Sequence, residues 1–494
     1  MVAEAAASSR RGFGEQSQTP RRSSAAPWGT GCKTLGDGSP SLWGGLPEPV
    51  DRVRRAARVG CRRLRRQRTP VEAFGYPGQV QPGNSSAGLS LGHLLSPDLL
   101  ADPAPFYRRL REESPVHFDA ATGSVLISRY ADVHAALQDP RFSSERVMAN
   151  LQRQPPEIRD QVCPVYQSIA RQIMYVDPPA HTRLRSLLSP AFSAVALHKW
   201  QPRVEQLASE LLERATAHET FDVIEALAYP LPMTVITDLL GVPRADQKQF
   251  KKWSLDFASF IGAARLQPEQ AAAAIAGIRD FIAYFQDLVA RRRRDGGADD
   301  LLGMLMNAGE SGGVLDDEEL YTNCVFLLAA GHETTTNLIG NAVHLLLRHP
   351  AELDRLRADP SLVESAIEEV LRYEGSTRWT SRILREDVEL HGQVLRKGQS
   401  VLLLLAAANR DPQRFADADR FDIGRKDNRH LGFGFGPHFC IGAALARLEA
   451  RAALRGLLSR CPQLTRVPGP EKWVPSAFFR GLSALPVRSA GVSD

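Results

Sequence analysis

Four groups of side chains in this sequence have types and spacings suited to chemistry. The most distinctive is the string Phe433-Gly434-Phe435-Gly436-Pro437-His438-Phe439-Cys440-Ile441-Gly442. A cysteine at a loop-to-helix junction meets helix-terminal N–H groups, which favour the thiolate and lower its pKa. Gly434, Gly436 and Gly442 carry no side chain, so backbone and a flat ligand can come close. Cys440 alone would pass for a buried structural cysteine, since those are common; the ten-residue string turns the reading toward a ligand. The second group is Ala330-Gly331-His332-Glu333-Thr334-Thr335. Its small Ala-Gly pair opens a helix backbone to a flat partner, and an acid beside a hydroxyl can relay protons. Thr334 can also bond back to the carbonyl four residues earlier and loosen the helix. Without context, Glu333-Thr334 would read as an ordinary helix surface.

The third group, Glu369 and Arg372 in Glu369-Val370-Leu371-Arg372, sets an acid and a base three apart on one helix face. Exposed, such a pair contributes little. The fourth is Asp177-Pro178-Pro179-Ala180-His181-Thr182-Arg183-Leu184-Arg185, where prolines sit near the first turn of a helix. His181 and Arg185 are four apart and share a face, an arrangement suited to a carboxylate. Three further patterns carry no such chemistry. Gly309-Glu310-Ser311-Gly312-Gly313 spells a hydrolase elbow but lacks the preceding strand. His332-Glu333 opens like a zinc protease helix, yet position 336 is threonine. Gly432, Gly434 and Gly436 have the wrong spacing for a dinucleotide loop.

The elements that must position these groups are mostly helical. The pattern predicts a helix over 103–113, a strand over 123–127, and amphipathic helices over 197–217, 245–263 and 268–294. Asp316 and Glu319 form a capping-box pattern with acids in the first turn. No proline follows until Pro350. A helix of ~30 residues, on the order of 45 Å long, is therefore predicted here. Its apolar positions lie on more than one side, which implies burial. A helix over 362–373, strands around 387–391 and 400–407, an irregular stretch over 409–429 and a last helix over 441–460 complete the outline.

The first 88 residues differ from the rest, being rich in Ser, Gly, Pro, Ala and Arg. Residues 1–70 hold fourteen Lys/Arg against five Asp/Glu, so the net charge of +5 belongs to this segment and the remainder is acidic. An Arg-rich run from Arg52 to Arg68 has apolar residues at helical spacing, as a surface-binding helix would. Disorder and a transit peptide are the other readings of this extension. The expected division is therefore a basic, low-complexity extension over 1–88 and a folded domain over 89–494. Hydrophobic residues make up 43% and charged residues 24% of the chain. Both shares are ordinary for a globular protein. The longest apolar runs, such as Val401 to Ala408, are short. They fall far below the ~20 residues a bilayer demands. Six cysteines (32, 61, 163, 324, 440, 461) without CxxC pairs fit a reducing compartment and a cytoplasmic location, not a disulfide framework.

The Phe433–Gly442 string, with Ala443-Ala444-Leu445-Ala446-Arg447 after it, resembles the heme-binding loop of the soluble bacterial cytochromes P-450. The resemblance covers roughly 89–494 and implies a mainly α fold with a small β region, a triangular helical prism around heme with a long central helix. It implies a heme-thiolate monooxygenase, with heme b (iron protoporphyrin IX) as cofactor and O2 as co-substrate. By the same resemblance Cys440 is the iron ligand, Phe433 packs near its sulfur, and Gly442 belongs to the loop. His181, Arg185, Arg382 and His438 bind the propionates. Ala330, Gly331, Glu333 and Thr334 form the oxygen-activation sequence, with Glu333 and Thr334 catalytic. Glu369, Arg372 and Arg420 form a structural trio. Substrate loops are expected around 146–175, 229–262, 377–380 and 477–479, with Thr377, Arg378 and Phe478 as candidate contacts. Arg378 would meet a substrate carboxylate or else bond loop carbonyls or a propionate.

The expected reaction is hydroxylation or epoxidation of a small molecule, in keeping with natural-product metabolism. Oxidative coupling or dehydrogenation within the same family, and heme used only to bind a gas or ligand, are the alternatives. The intact acid–hydroxyl pair speaks against mere binding. Only a short stretch follows Cys440, so electrons are expected from a separate ferredoxin or flavodoxin with an NAD(P)H-dependent reductase. A monomer without a nucleic-acid partner or a transmembrane segment is expected.

Overall fold

The computed structural model describes residues 89–489, apart from 153, 155, 263–267, 297–299 and 308–314. The basic extension and the Gly309–Gly313 segment lie outside the described residues. No described helix is long and apolar enough to cross a membrane.

Helices dominate. The elements that matter to the site are α1 (Ala104–Glu113), α2 (Ala180–Leu188), α3 (Ala194–Thr216), α4 (Pro230–Leu239), α5 (Gln247–Gly262), α6 (Pro268–Asp295), α7 (Asp317–Arg348), α8 (Val363–Glu374) and α9 (Ala443–Arg460). The strands are β1 (Val116–Asp119), β2 (Ser124–Ile127), β3 (Phe142–Ser143), β4 (Thr380–Leu384) and β5 (Ser400–Leu403). They form a five-stranded sheet in the order β1-β2-β5-β4-β3, parallel only between β2 and β5. Val401 lies opposite both Val125 and Arg382 in this register.

Helix α7 runs for 32 residues. At the usual rise per residue it spans about 48 Å. Asp316 caps the helix, its carboxylate accepting from Glu319 N at 2.9 Å. Glu319 Oε2 accepts in return from Asp316 N at 3.3 Å. This reciprocal pair satisfies two backbone donors at the helix start. Buried positions on several faces of α7, among them Leu328, Leu338, Ile339 and Leu346, make it the axis of the main core. Helices α3, α4, α6, α8 and α9 contribute to the same core. The strand predicted over 400–407 ends early, because Leu405–Ala408 turns into a short helix after β5. A run of Leu and Ala suits either geometry, and tertiary packing decides between them.

Behind the core sits a saturated ion cluster. Arg372 donates from Nε and Nη2 to the two oxygens of Glu369 at 2.8 Å each, with both side chains fully buried. Its remaining hydrogens go to the carbonyls of Asn409, Ala418 and Arg420 at 2.7–3.0 Å. The third member of the trio is Arg425, not Arg420. Arg425 Nε reaches Glu369 at 3.2 Å, whereas the exposed Arg420 contributes only its carbonyl. The irregular chain around Ala416–Arg425 folds back so that the later guanidinium, which also donates to Ala416 O at 2.7 Å, points inward.

Candidate active site

One wall of the cavity under α7 is that helix itself, through Phe326, Leu327, Ala330, Gly331, Thr334 and Leu338. The Cys440 loop supplies Phe433, Gly434, His438, Phe439, Cys440 and Gly442 to the same cavity. Its empty space is about 1420 Å³, mouth included. Loop geometry fixes the cysteine. Cys440 N donates to Phe433 O at 2.9 Å, and Gly434 (φ 70°) and Gly436 (φ 71°) adopt left-handed backbone. A Cβ on Gly436 would stand 2.8 Å from Leu137 O. At Gly442 a Cβ would meet nothing within 4 Å, so this glycine opens onto free space in the cavity.

As a free thiol, Cys440 is pushed above its ordinary pKa, opposite to the expectation from helix-terminal N–H groups alone. Burial is the larger effect; the Gly442 N–H, Arg185 and Arg447 act against it. Arg447 stacks over the Phe433 ring at 4.6 Å and is held by Glu368 at 2.6 Å.

The rim carries cationic groups in excess. His181, Arg185, Arg382 and His438 all line the cavity. The His181 and His438 rings are 4.1 Å apart, and buried His181 Nε2 has no hydrogen-bond partner among the described residues. Burial, then Arg382 and its cationic neighbours, depress His438 to about 2. Arg382 falls to about 9 through burial and the nearby Arg146. The nearest acid, Asp177, already accepts from Ser144 N at 3.0 Å and pairs with Arg385 at 2.7 Å. Two arginines thus converge with two histidines whose protonation is disfavoured, and Asp177, 4.0 Å from His438 Nε2, is already engaged elsewhere. Arg185 anchors to Phe439 O at 2.7 Å, tying α2 to the cysteine loop.

On α7, Thr334 Oγ1 donates to Ala330 O at 2.9 Å and Thr335 Oγ1 to Gly331 O at 3.0 Å, in the back-bonded form. Thr334 lines the cavity, but Glu333 does not. Glu333 is raised by burial, with Lys251 opposing, and Tyr229 is raised to about 12 by burial and by Glu333. Lys251 Nζ sits 4.8 Å above the Tyr229 ring. Glu333 therefore faces α4 and α5, with the exposed Lys251 on its outer side.

Of the expected substrate loops, 146–175 contributes Ile173 and Met174, 229–262 contributes Ile236, and 377–380 contributes Thr377 and Thr380. Arg378 and Phe478 are not among the cavity residues. Arg378 points to the opposite side of its segment, and Phe478 packs on Trp379 at 4.7 Å. Three residues escaped the sequence reading. Arg146, at the start of the expected 146–175 loop, is a buried neighbour of the rim with no role foreseen for it. Ser376 donates to Thr334 O at 2.7 Å. Glu449 lines the cavity with a buried, unpaired Oε2, and burial lifts its carboxyl well above the usual range. The signal for Glu449 was its place four residues after Leu445, on the cavity side of α9.

A half-buried thiol facing a small-residue helix, under a rim of two arginines and two histidines, defines a protein that can hold a flat, anionic, metal-bearing group by sulfur. The family model for cytochrome P450 matches residues 118–472. Cytochrome P450 monooxygenase PikC of Streptomyces venezuelae is 41% identical over 411 residues, which is 81% of this chain and 94% of that protein. Polyketide biosynthesis cytochrome P450 PksS of Bacillus subtilis is 35% identical over 78% of this chain and 95% of its own. The crystal structure of CalO2 superposes with a TM-score of 0.74 at 36% identity, covering 80% of this chain and 98% of that one.

The chain belongs to the cytochrome P450 family. It is a monooxygenase of the heme-thiolate type, using O2, electrons from redox partners and a small-molecule substrate.

Proposed function

We propose that Cys440 ligates the iron of heme b and that the protein hydroxylates or epoxidises a largely apolar scaffold of the polyketide type. The observation that carries this reading is the coincidence, in one cavity, of the Cys440 thiol, the open Gly442 and a rim of Arg185, Arg382, His438 and His181, the last with an unpaired buried Nε2. The residues fit the group: a thiolate for the iron, cations for two propionates, and glycine where a planar ring needs room. Phe433 lines the cavity with Cys440, and Ala330 and Gly331 form part of the other wall. When bound, the heme supplies dioxygen activation and transfer of one oxygen atom, which the thiolate promotes.

The chain's own residues do the rest. Ile173, Met174, Ile236, Phe326 and Leu338 exclude water and present apolar surface to the substrate, with Thr377 and Thr380 as polar contacts. Glu333, held protonated more readily by its burial, takes protons from the Lys251 side and passes them toward Thr334, whose Oγ1 holds one at the cavity. Glu369, Arg372 and Arg425 serve as scaffold. The family domain begins near residue 89, and the protein works as a cytoplasmic monomer. A ferredoxin or flavodoxin with its NAD(P)H-dependent reductase delivers electrons at the face bearing Phe435 and Phe439, each 38% exposed. PksS, named for polyketide biosynthesis, supports the substrate class.

The test is turnover under 18O2 with a reconstituted ferredoxin and reductase and a panel of macrolactone and linear polyketide probes. One labelled oxygen atom per product molecule is expected; product lacking the label would contradict oxygen insertion.

A further inference from the structure

Arg378 is the feature of this chain that its monooxygenase site leaves unexplained. Its side chain is 1% exposed, yet Nε, Nη1 and Nη2 all lack a hydrogen-bond partner among the described residues. Burying a guanidinium without an acceptor is far more costly than burying a neutral donor. The group faces a chamber distinct from the heme cavity, formed by α1, the ends of α7 and α8, and the segment around Arg480. That chamber has about 920 Å³ of empty space, its mouth included. Gly375 and Arg378 line it, while the intervening Ser376 and Thr377 line the heme cavity.

The local carboxylates are already engaged. Glu374 pairs with Arg480 at 2.5 Å, and Asp419 takes Arg108 at 2.7 Å and Arg410 at 3.1 Å. Asp102 accepts from Ala104 N at 3.0 Å. Five arginines line the chamber against these three acids, which leaves a positive excess around the buried guanidinium of Arg378. Beside it lies the buried Tyr107 hydroxyl, which interacts with the guanidinium and has no acceptor for its own hydrogen among the described residues. Two buried donor groups, one charged and in contact with the other, therefore border the same chamber.

We propose that this chamber is a second ligand site, which takes one small oxyanion, a carboxylate or a phosphate, between the Arg378 fork and Tyr107 Oη. The planar guanidinium offers two parallel N–H groups at the spacing of two oxygens on such an anion. Water could solvate the same donors, but it would leave the charge excess unanswered. Because Ser376 also holds Thr334 O, a filled chamber steadies the strip that separates it from the oxygen-activation helix.

The experiment uses the full heme-loaded chain. Sodium phosphate and sodium acetate are titrated separately by calorimetry and by thermal melting, at ionic strength held constant with sodium chloride. Wild type is expected to bind one anion per chain saturably, with a matching rise in Tm; the tighter of the two arms identifies the source of the oxyanion. Arg378→Met keeps the volume and removes the charge. It is expected to weaken binding at least tenfold and to lose the anion-dependent Tm rise, while melting no lower than wild type in anion-free buffer. Tyr107→Phe, which removes only one buried hydroxyl, should weaken binding about three- to tenfold. Absence of saturable binding in wild type would overturn the proposal and leave water as the occupant. So would unchanged binding in both variants, or an Arg378→Met protein that melts lower by the same amount with and without anion.

Discussion

Two buried groups of cations flank the same core and could hardly be treated more differently. Around Glu369, every hydrogen of Arg372 has an acceptor and Arg425 closes the remaining side of the carboxylate. At the cavity rim, His181 Nε2 has no partner and the nearest acid is already engaged by Ser144 and Arg385. The first arrangement is complete without anything added, and the second leaves a buried imidazole nitrogen unpaired beside two arginines. Saturation marks scaffold, and unmet donors mark a binding site. That difference separates charges of the same type by purpose more sharply than sequence position does.

Replacing Arg372 tests the saturated side and should have the largest effect. Arg372→Ala leaves a buried carboxylate half-compensated and strips donors from three carbonyls, a loss of about 3–5 kcal/mol in denaturant unfolding. A loss under about 1 kcal/mol would mean the cluster is not what holds this face together. On the unmatched side, Arg382→Met should retain stability without heme but release heme about 10–100-fold more readily, as followed by transfer to apomyoglobin. If the variant instead unfolds while holding heme normally, the rim is scaffold after all.

Glu368 offers a pH test of the link between α8 and the cysteine loop. Burial alone would raise this carboxyl, but hydrogen bonds from Arg447 and His430 outweigh it and hold the folded value at about 2. A depressed carboxylate stabilises the fold above its unfolded value of 4.5, and the contribution disappears as pH falls through about 2. Glu368→Gln should remove roughly 2 kcal/mol at neutral pH and flatten that acid slope. An unchanged slope would place the acid sensitivity elsewhere. The smallest effect on stability is expected at Thr334, since its hydroxyl bonds within its own helix, to Ala330 O. Thr334→Ala should shift unfolding by less than about 1 kcal/mol yet lower product formed per NAD(P)H roughly tenfold. Unchanged coupling would remove Thr334 from proton handling.

The helical outline and most of the residues lining the Cys440 cavity were legible in the sequence because they are fixed by strings. In Phe433–Gly442, turn geometry, glycine and cysteine are tied to consecutive positions, and His181 and Arg185 are bound by helical spacing. Legibility failed where direction depends on irregular chain. In the 376–380 segment a one-residue step turns a side chain to the other face, so Thr377 reaches the heme cavity and Arg378 does not. In the stretch after β5 no periodicity constrains which arginine turns inward, and Arg425 takes the place expected of Arg420. Glu449 and Arg146 were hidden for a related reason: each is a polar residue whose burial is set by long-range packing.

The central claim, thiolate ligation of heme by Cys440, is tested most directly by the carbon monoxide difference spectrum of the dithionite-reduced protein. A Soret band at the long wavelength that gives the family its name is predicted for the wild type, with loss of that band in Cys440→His at retained heme content. A wild-type band at the shorter wavelength of imidazole- or thiol-ligated heme, or a long-wavelength band that survives in Cys440→His, would contradict the account.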